Sequence, residues 1–177
     1  NPDFVMNYTN TFSYKGWSLN LSVQHTSGGD IYSTTIATLM GRGLTTDTED
    51  RLSTYILPGV TATGEVNDVQ INNSNFYFDN GFASPANELS VYDASVVRLR
   101  EVSFGYSLPS KMLENTPFGK VVFKASAYNM WYDAYNTPDG INFDPNTTAL
   151  GDSNGQGFDY LTGPSSKRYG MSVNVSF

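Results

Sequence analysis

Apolar and polar residues alternate one by one through the last eleven residues of the chain. Tyr169, Met171, Val173, Val175 and Phe177 share one parity, and the residues between them are polar or small. Because successive side chains of a β-strand point to opposite faces, this pattern predicts a strand over residues 167–177 with one apolar face. Such a face packs on a soluble core or contacts lipid in a barrel, and the alternation alone leaves both open.

Four further segments carry the same period of two. We predict strands over residues 3–14, 17–27, 95–108 and 120–131. Lys15 and Gly16 form a two-residue turn, so the first two strands are predicted to pair as a hairpin. Within 95–108 the apolar parity changes at Arg100 and Glu101, which predicts a β-bulge because one extra residue exchanges the two faces. Each segment is about as long as a tilted strand that crosses a bilayer, ~9–11 residues.

The connections between these strands alternate between short and long. Residues 15–16 and 109–119 are short connections, whereas 28–94 and 132–166 are long ones. Transmembrane barrels show this alternation because tight turns lie on one side of the membrane and functional loops on the other. The loop lengths therefore favour a barrel, although a soluble sandwich is not excluded.

The first long connection contains two helix patterns. We predict one short helix over Ile31–Met40. A second is predicted from Thr46, whose spacing to Glu49 is that of a capping box, through about Ile56 before Pro58. Loops of this length are uncommon in compact domains and are usually functional.

The composition fits strands joined by polar loops. Aromatic residues make up 14% of the chain and charged residues only 15%, against ~25% in ordinary soluble domains. The net charge of −7 argues against nucleic-acid binding, which needs Lys and Arg to neutralise phosphates. The chain has no cysteine, and no apolar run approaches the ~18 residues of a transmembrane helix. It shows no signal peptide, so we expect an extracytoplasmic chain to be a piece of something longer.

The sequence contains no convincing motif for catalysis or metal binding, and we predict neither enzyme activity nor a cofactor. No pattern around the single histidine, His25, indicates a catalytic triad, and we interpret it as a wall or interfacial position. Asp144, Asp152 and Asp159 would suit a glycosidase carboxylate pair, but Gly- and Asn-rich loops contain such residues by default. Residues 152–155 begin like a calcium loop, yet position twelve is Gly163 instead of a bidentate Glu, which leaves only an incidental loop calcium as an alternative.

Aromatic residues cluster where the fourth strand ends. An interfacial aromatic belt explains Trp131 without a ligand. Exposed aromatic and polar side chains of the loops would instead stack on and hydrogen-bond a sugar or a peptide. The candidates for this binding are Tyr132, Tyr135, Phe143, Asp144, Phe158 and Tyr160.

Three charged residues lie in the predicted bulge strand. Arg98, Arg100 and Glu101 would cost ~2–4 kcal/mol each on a lipid face at mid-depth. In a barrel we therefore expect them to face the lumen or to lie at the rim. There they would form an ion-pair network, or they would contact a plug or a substrate inside the barrel, and we favour the network.

Seven short motifs follow one another along almost the whole chain. They are Asn1-Pro2-Asp3-Phe4, Tyr14-Lys15-Gly16-Trp17, Gly28-Gly29-Asp30-Ile31-Tyr32, the run from Tyr92 to Val102, Tyr106-Ser107-Leu108-Pro109, Asn129-Met130-Trp131 and Phe143-Asp144-Pro145. In this order the chain resembles the C-terminal end of SusC/RagA-family TonB-dependent transporters from the outer membrane of Bacteroidetes. The family usually has Arg-Asn-Leu-Trp at the sixth motif, where this chain has Tyr128 and Met130 in place of Arg and Leu.

The resemblance implies an all-β fold, with five antiparallel up-and-down strands from the C-terminal part of a 22-stranded transmembrane barrel. Residues 28–94 and 132–166 would then be extracellular loops. Family members import oligosaccharides or peptides with a SusD-like surface lipoprotein, driven by the TonB complex through an internal plug. The implied partners are the rest of the barrel and its plug, that lipoprotein, the TonB complex, a glycan or peptide substrate and membrane lipid. The implied location is the outer membrane of a Gram-negative, Bacteroidetes-type bacterium.

The terminal strand acquires a role from the same resemblance. Phe177 is similar to the C-terminal aromatic residue that the outer-membrane assembly machinery recognises in such barrels. The apolar parity of residues 169–177 would face lipid, with Arg168 and Asn174 facing the lumen and one strand edge needing a partner. The alternative is a soluble carbohydrate-binding β-sandwich with aromatic loops.

Overall fold

Within the described part of the chain the regular structure consists of ten strands, two short α-helices, 3₁₀ turns over Thr46–Thr48 and Glu88–Ser90 and a π-helix over Ser74–Asp79. The computed structural model describes residues 1–79, 88–147, 149 and 156–177. In chain order the strands are β1 (Phe4–Tyr14), β2 (Trp17–Ser27), β3 (Asp30–Ser33), β4 (Thr54–Ile56), β5 (Gln70–Asn72), β6 (Val91–Asp93), β7 (Val96–Ser107), β8 (Lys120–Asp133), β9 (Phe158–Asp159) and β10 (Arg168–Ser176). The helices are α1 (Thr34–Gly41) and α2 (Ser110–Leu113).

The five long strands form one antiparallel sheet in the order β1-β2-β7-β8-β10. Their bounds agree with the predicted ranges to within two residues. The predicted hairpin is confirmed, since Tyr14 pairs with Trp17 across a turn in which Lys15 and Gly16 have φ of 46° and 86°. Positive φ at both central residues is the geometry that matches the right-handed twist of paired strands.

The predicted bulge in β7 is confirmed at Arg100. Ser22 of β2 pairs with Glu101 and Val23 pairs with Leu99, so Arg100 is the extra residue between them. A second irregularity occurs in β8, where this strand pairs with β7. Leu99 pairs with Trp131 and Glu101 pairs with Tyr128, so Asn129 and Met130 lie opposite Arg100. There Asn129 has a φ of 53°, a left-handed conformation that Asn tolerates better than most residues.

One side of the sheet is apolar and open. Met171 is 91% exposed, Tyr169 71% and Tyr14 69%. These exposures contradict the β-sandwich alternative, in which the apolar side would pack against a second sheet. A face of this kind needs an apolar environment, which water does not supply.

The chain divides into two units. The first, here the sheet unit, comprises residues 1–29, 95–135 and 164–177, and the second, here the loop unit, comprises residues 30–94 and 136–163. In the loop unit β3 pairs antiparallel with β6 and parallel with β9, so both long connections contribute to one small sheet. Its core contains Ile31, Ile36, Ala37, Met40 and Phe143. Among the described residues no helix is long and apolar enough to span a membrane.

Two helix predictions in the first long connection need correction. The helix predicted over Ile31–Met40 begins only at Thr34, because Asp30–Ser33 pairs as strand β3 and Ser33 caps α1. The cap is made by the Ser33 hydroxyl, which accepts a hydrogen bond of 3.1 Å from the Ile36 amide.

The helix predicted from Thr46 to Ile56 is wrong beyond its first turn. A single 3₁₀ turn spans Thr46–Thr48, and its reciprocal cap joins Thr45 and Thr48 instead of Thr46 and Glu49. The Asp50 carboxylate accepts hydrogen bonds from the amides of Leu52 and Ser53, a local alternative to helical bonding. Residues Thr54–Ile56 then form β4, which pairs with β5.

Candidate functional site

The polar face of the sheet carries most of its charged side chains. Strand register places Arg98, Glu101, Lys120, Lys124 and Arg168 on the side of Ser18 and Ser22, opposite the apolar residues. Arg98 is buried, whereas Arg100, the extra residue of the bulge, is exposed. Arg98 and Glu101 therefore lie away from the apolar side, as expected for a barrel wall.

Glu101 has an ion-pair partner that the sequence analysis did not name. The Nζ atom of Lys124 lies 3.4 Å from Oε1 of Glu101, and the two side chains are 42% and 25% exposed. Partly exposed pairs of this kind stabilise a fold by no more than about 1 kcal/mol. The pair thus orients two charges on the polar face and is no strong source of stability.

Tyr135 is held at the end of the sheet by His25. The Nε2 atom of His25 and the hydroxyl of Tyr135 are 3.0 Å apart, and the ring of Phe4 meets the imidazole edge-on at 5.3 Å. Trp131 is 52% exposed and pairs with Leu99 on the apolar side. Tyr132, predicted in the loop, is instead part of β8 opposite Arg98. The sheet therefore positions all three aromatic residues: Trp131 and Tyr132 lie in β8, and Tyr135 contacts His25 of β2.

The loop aromatics separate into a buried and an exposed set. Phe143 is only 7% exposed and lies in the core of the loop unit, so its predicted contact with a ligand is wrong. Phe158 is 53% exposed and Tyr160 68%. Exposed rings of this size can stack on a sugar or a peptide. Phe158 and Tyr160 thus remain candidates for ligand binding in the loop unit, whereas Phe143 does not.

The acidic candidates Asp144 and Asp159 accept hydrogen bonds from other residues of the loop unit. Asp144 is buried, and its carboxylate accepts a hydrogen bond of 3.0 Å from the Asn146 amide. Asp159 is buried and accepts hydrogen bonds from Ser33, Thr35 and Thr162. The bond to Asp144 is a local turn interaction, whereas Ser33 and Thr35 reach Asp159 from the other long connection, so both carboxylates are engaged within the loop unit. Asp152, with residues 153–155 of the calcium-like motif, lies outside the described residues.

Opposing effects set the pKa of Asp159. Burial by itself would raise the pKa, but the hydrogen bonds from Thr162, Thr35 and Ser33 outweigh it and hold the pKa below its ordinary value. Asp159 is therefore a carboxylate at neutral pH. Within the part of the chain that the structure describes, no group of three or more His, Cys, Asp or Glu side chains is arranged to hold a metal ion.

Two half-buried tyrosines, Tyr77 and Tyr92, were not among the candidate site residues predicted from the sequence. Burial and the nearby Tyr77 raise the pKa of Tyr92 to about 12, and its hydroxyl donates to the sulfur of Met40 at 3.7 Å. Burial, followed by the charges of Tyr55 and Asp47, also raises the pKa of Tyr77. Both phenols are neutral donors at physiological pH. No periodic pattern marks them, because β6 has only three residues and Tyr77 lies in a short π-helix.

A curated relative matches almost the whole chain. It is the TonB-dependent receptor P3 of Formosa agariphila, which is 29% identical over 185 residues that cover 99% of this chain and 16% of that receptor. Over this length the chain is similar in sequence to a TonB-dependent receptor. No protein-family model matches it.

Solved structures show the same fold. The RagAB peptide importer in its closed-closed state has a TM-score of 0.60 and 16% identity, covering 100% of this chain and 17% of the matched chain. Its open-open state has a TM-score of 0.58 and 17% identity, with the same coverage. The chain thus spans about a sixth of the length of the proteins it matches.

These matches bear on the expectations drawn from the motifs. The resemblance to SusC/RagA-type transporters and the antiparallel β-barrel fold class are confirmed. The sequence match to a receptor of Formosa agariphila agrees with the expected outer-membrane location in a Bacteroidetes-type bacterium. The substrate, the lipoprotein partner and the roles of individual residues are matters for proposal.

Proposed function

We propose that this chain forms part of the wall and of the outer loops of a TonB-dependent importer in the outer membrane. The importer would take up peptides or oligosaccharides with a SusD-like surface lipoprotein, coupled to the TonB complex through a plug elsewhere in the protein. On this proposal no residue of the chain performs covalent chemistry, and no cofactor takes part. The relatives with this sequence and fold are named as receptors and importers.

The open apolar side of the five-stranded sheet is the observation that carries the proposal. Its most exposed residues, which include Met171, Tyr169 and Tyr14, are large and lie on one face only. The opposite face carries serines and the charges of the polar face. Lipid on one side and an aqueous lumen on the other account for both faces of one sheet.

The two edge strands of the sheet support the same proposal. β1 and β10 are the outer strands, so each has one edge to which no described strand is paired. Unpaired backbone groups are costly in lipid, and neighbouring strands of a closed barrel satisfy them. The rest of the barrel is therefore proposed as the immediate partner of β1 and β10.

The loop unit supports a role in substrate capture outside the barrel. Both long connections contribute strands to one folded unit, which is more than a linker needs. Phe158 and Tyr160 present exposed rings there. We propose these two as stacking contacts for a peptide or a sugar, and the lipoprotein as the lid that closes over them.

Uptake by the full-length receptor tests the proposal. In the native bacterium, deletion of the receptor gene should abolish growth on one class of nutrient, either peptides or a polysaccharide. The wild-type gene should restore growth, and a protonophore should stop uptake because TonB coupling uses the proton gradient. A receptor that lacks Phe177 should reach the outer membrane in reduced amounts. Recovery of the wild-type receptor in the soluble fraction, or growth unaffected by the deletion on every peptide and polysaccharide source, would overturn the proposal.

A further inference from the structure

Charge is distributed unevenly between the two units. The loop unit contains thirteen of the seventeen acidic residues but only two of the ten basic ones, Arg42 and Arg51. Both arginines line the same cavity, whose volume is about 340 Å³. No Asp or Glu side chain is among the described residues that line it. In a unit this acidic, a cavity lined by both cations and, among its described residues, by no carboxylate is suited to an anion.

Arg42 follows directly on the end of α1. Its amide bonds the Thr38 carbonyl at 3.0 Å, and Gly43 then turns left-handed with a φ of 69°. A cation at a helix C-terminus interacts favourably with the helix dipole, and this local effect alone would suffice to place Arg42. It does not account for Arg51, which lies in a different segment and lines the same cavity.

Arg51 is positioned by Gly43. Its Nη2 atom donates to the Gly43 carbonyl oxygen at 3.0 Å. A Cβ atom on Gly43 would lie 2.7 Å from Nη2 and 3.0 Å from Cζ, so the guanidinium packs against the bare glycine backbone. This contact uses one of the five N–H donors of the guanidinium and holds its plane in place, leaving donors for a ligand.

The rest of the cavity wall combines Met40 and glycine backbone with several polar side chains. The side chain of Asn73 donates to the carbonyl oxygen of Asp50 at 2.6 Å and so fixes the segment that leads to Arg51. Thr48, Ser74 and Tyr77 also line the cavity. Because burial raises the pKa of Tyr77, its hydroxyl is protonated at neutral pH. Hydroxyl groups of this kind complement an arginine pair in binding an anionic oxygen.

We propose that Arg42 and Arg51 bind a carboxylate group of the imported substrate in this cavity. The proposal rests on the proposed import function and adds that the substrate is acidic at one end. A peptide C-terminus and a uronic acid of a glycan carry the same carboxylate, and arginine binds it in a planar, two-point manner.

Four probes distinguish the two sources of carboxylate. Binding to the purified full-length receptor is measured by calorimetry for trialanine, trialanine amide, trigalacturonic acid and its methyl ester. We expect one acid to bind at least about tenfold more tightly than its neutral derivative, since charge-assisted hydrogen bonds are lost in the derivative. A preference for trialanine indicates a peptide, and a preference for trigalacturonic acid indicates a glycan. Equal binding of acids and derivatives, or no binding of any probe, overturns the proposal.

Variants then assign the preference to the cavity. Arg42→Gln and Arg51→Gln should each remove most of the preference for the acid, and Gly43→Ala should weaken it by displacing the Arg51 guanidinium. Lys111→Gln removes the same charge from an exposed position on α2 and should bind as the wild type does. Wild-type binding by both arginine variants overturns the proposal. If proton-gradient-dependent uptake persists in that case, the import function stands and only the carboxylate site fails.

Discussion

The Oδ2 atom of Asp159 accepts a hydrogen bond of 2.7 Å from the hydroxyl of Ser33, a residue 126 positions earlier in the chain. The same oxygen accepts a bond of 3.1 Å from the Thr35 amide. Ser33 in turn caps α1 through the Ile36 amide. One buried carboxylate thus joins the two long connections and satisfies the N-terminus of a helix.

Asp159→Asn should therefore loosen the loop unit while leaving its shape nearly unchanged. Hydrogen bonds to a charged group contribute more than neutral ones, so we expect a loss of about 1–3 kcal/mol in the stability of this unit. Hydrogen exchange at the Thr35 and Ile36 amides of the full-length receptor measures it. Asp139→Asn, at an exposed position of the same unit, is the control and should exchange as the wild type does. Equal exchange in both variants would show that the cap is unimportant.

The pH dependence of the loop unit follows from the same residue. Because the folded state lowers the pKa of Asp159, its stabilisation is fully present above the ordinary carboxyl pKa of ~3.9 and is lost as pH falls through the folded value. We expect protection of the Thr35 amide, corrected for intrinsic exchange, to hold from neutral pH down to that range and then to decline. In Asp159→Asn this part of the acid-induced decline should be absent. A decline of the same size in the variant would assign the acid sensitivity to another group.

The two faces of β10 should respond differently to charge. Met171 lies on the apolar face and its neighbour Ser172 on the polar face, and both are exposed. Met171→Arg should cost about 2–4 kcal/mol in lipid and reduce assembly in the outer membrane, whereas Ser172→Arg should be nearly neutral. Heat-modifiable mobility on gels and unfolding in lipid vesicles measure the difference. Equal tolerance of both substitutions would contradict a lipid-facing sheet.

The hairpin turn depends on the absence of a side chain at Gly16. A Cβ there would lie 2.8 Å from the carbonyl oxygen of Ser107, and the residue has a φ of 86°. Gly16→Ala should cost about 1–2 kcal/mol, because it combines this contact with a disfavoured backbone conformation. Gly119→Ala is the matched control, since its Cβ would meet nothing nearer than 3.6 Å. Urea unfolding of both variants in vesicles should separate them.

The irregularity in β8 depends on the conformation of Asn129. Asn129→Val forces a β-branched residue into a φ of 53° and should cost about 1–2 kcal/mol. Asn129→Gly should lie within about 0.5 kcal/mol of the wild type, because glycine adopts positive φ freely. Both variants lose the weak bond of 3.4 Å from the Asn129 side chain to the Ser166 carbonyl, so this bond does not contribute to their difference. Similar stabilities for the two variants would show that the backbone conformation at this position carries no cost.

The two irregularities of the sheet differ in how far the sequence reveals them. At Arg100 the bulge exchanges the faces of β7, so Leu99 and Val102 differ in parity and the pattern itself predicts the bulge. In β8 the apolar residues Ala127 and Trp131 keep one parity on either side of Asn129. Nothing in the alternation therefore marked this position, and only the pairing with β7 revealed it.

Candidate ligand residues were harder to predict than strands. Phe143 and Phe158 have the same side chain and both follow β8, yet Phe143 is buried and Phe158 is exposed. An irregular segment has no period from which burial can be inferred. Arg42 and Arg51 gave no pattern either, because their shared cavity exists only when α1 and the segment around Arg51 are folded together.

The sequence by itself determined the five long strands, their apolar and polar faces, the hairpin turn at Lys15 and Gly16 and the bulge at Arg100. These features follow from local covalent geometry, in which side chains alternate and glycine permits positive φ. Only the tertiary structure decided that Ser33 meets Asp159, that Phe143 is buried and that the two arginines of the loop unit line one cavity. Contacts between residues far apart in the chain set these features, and no local pattern records them.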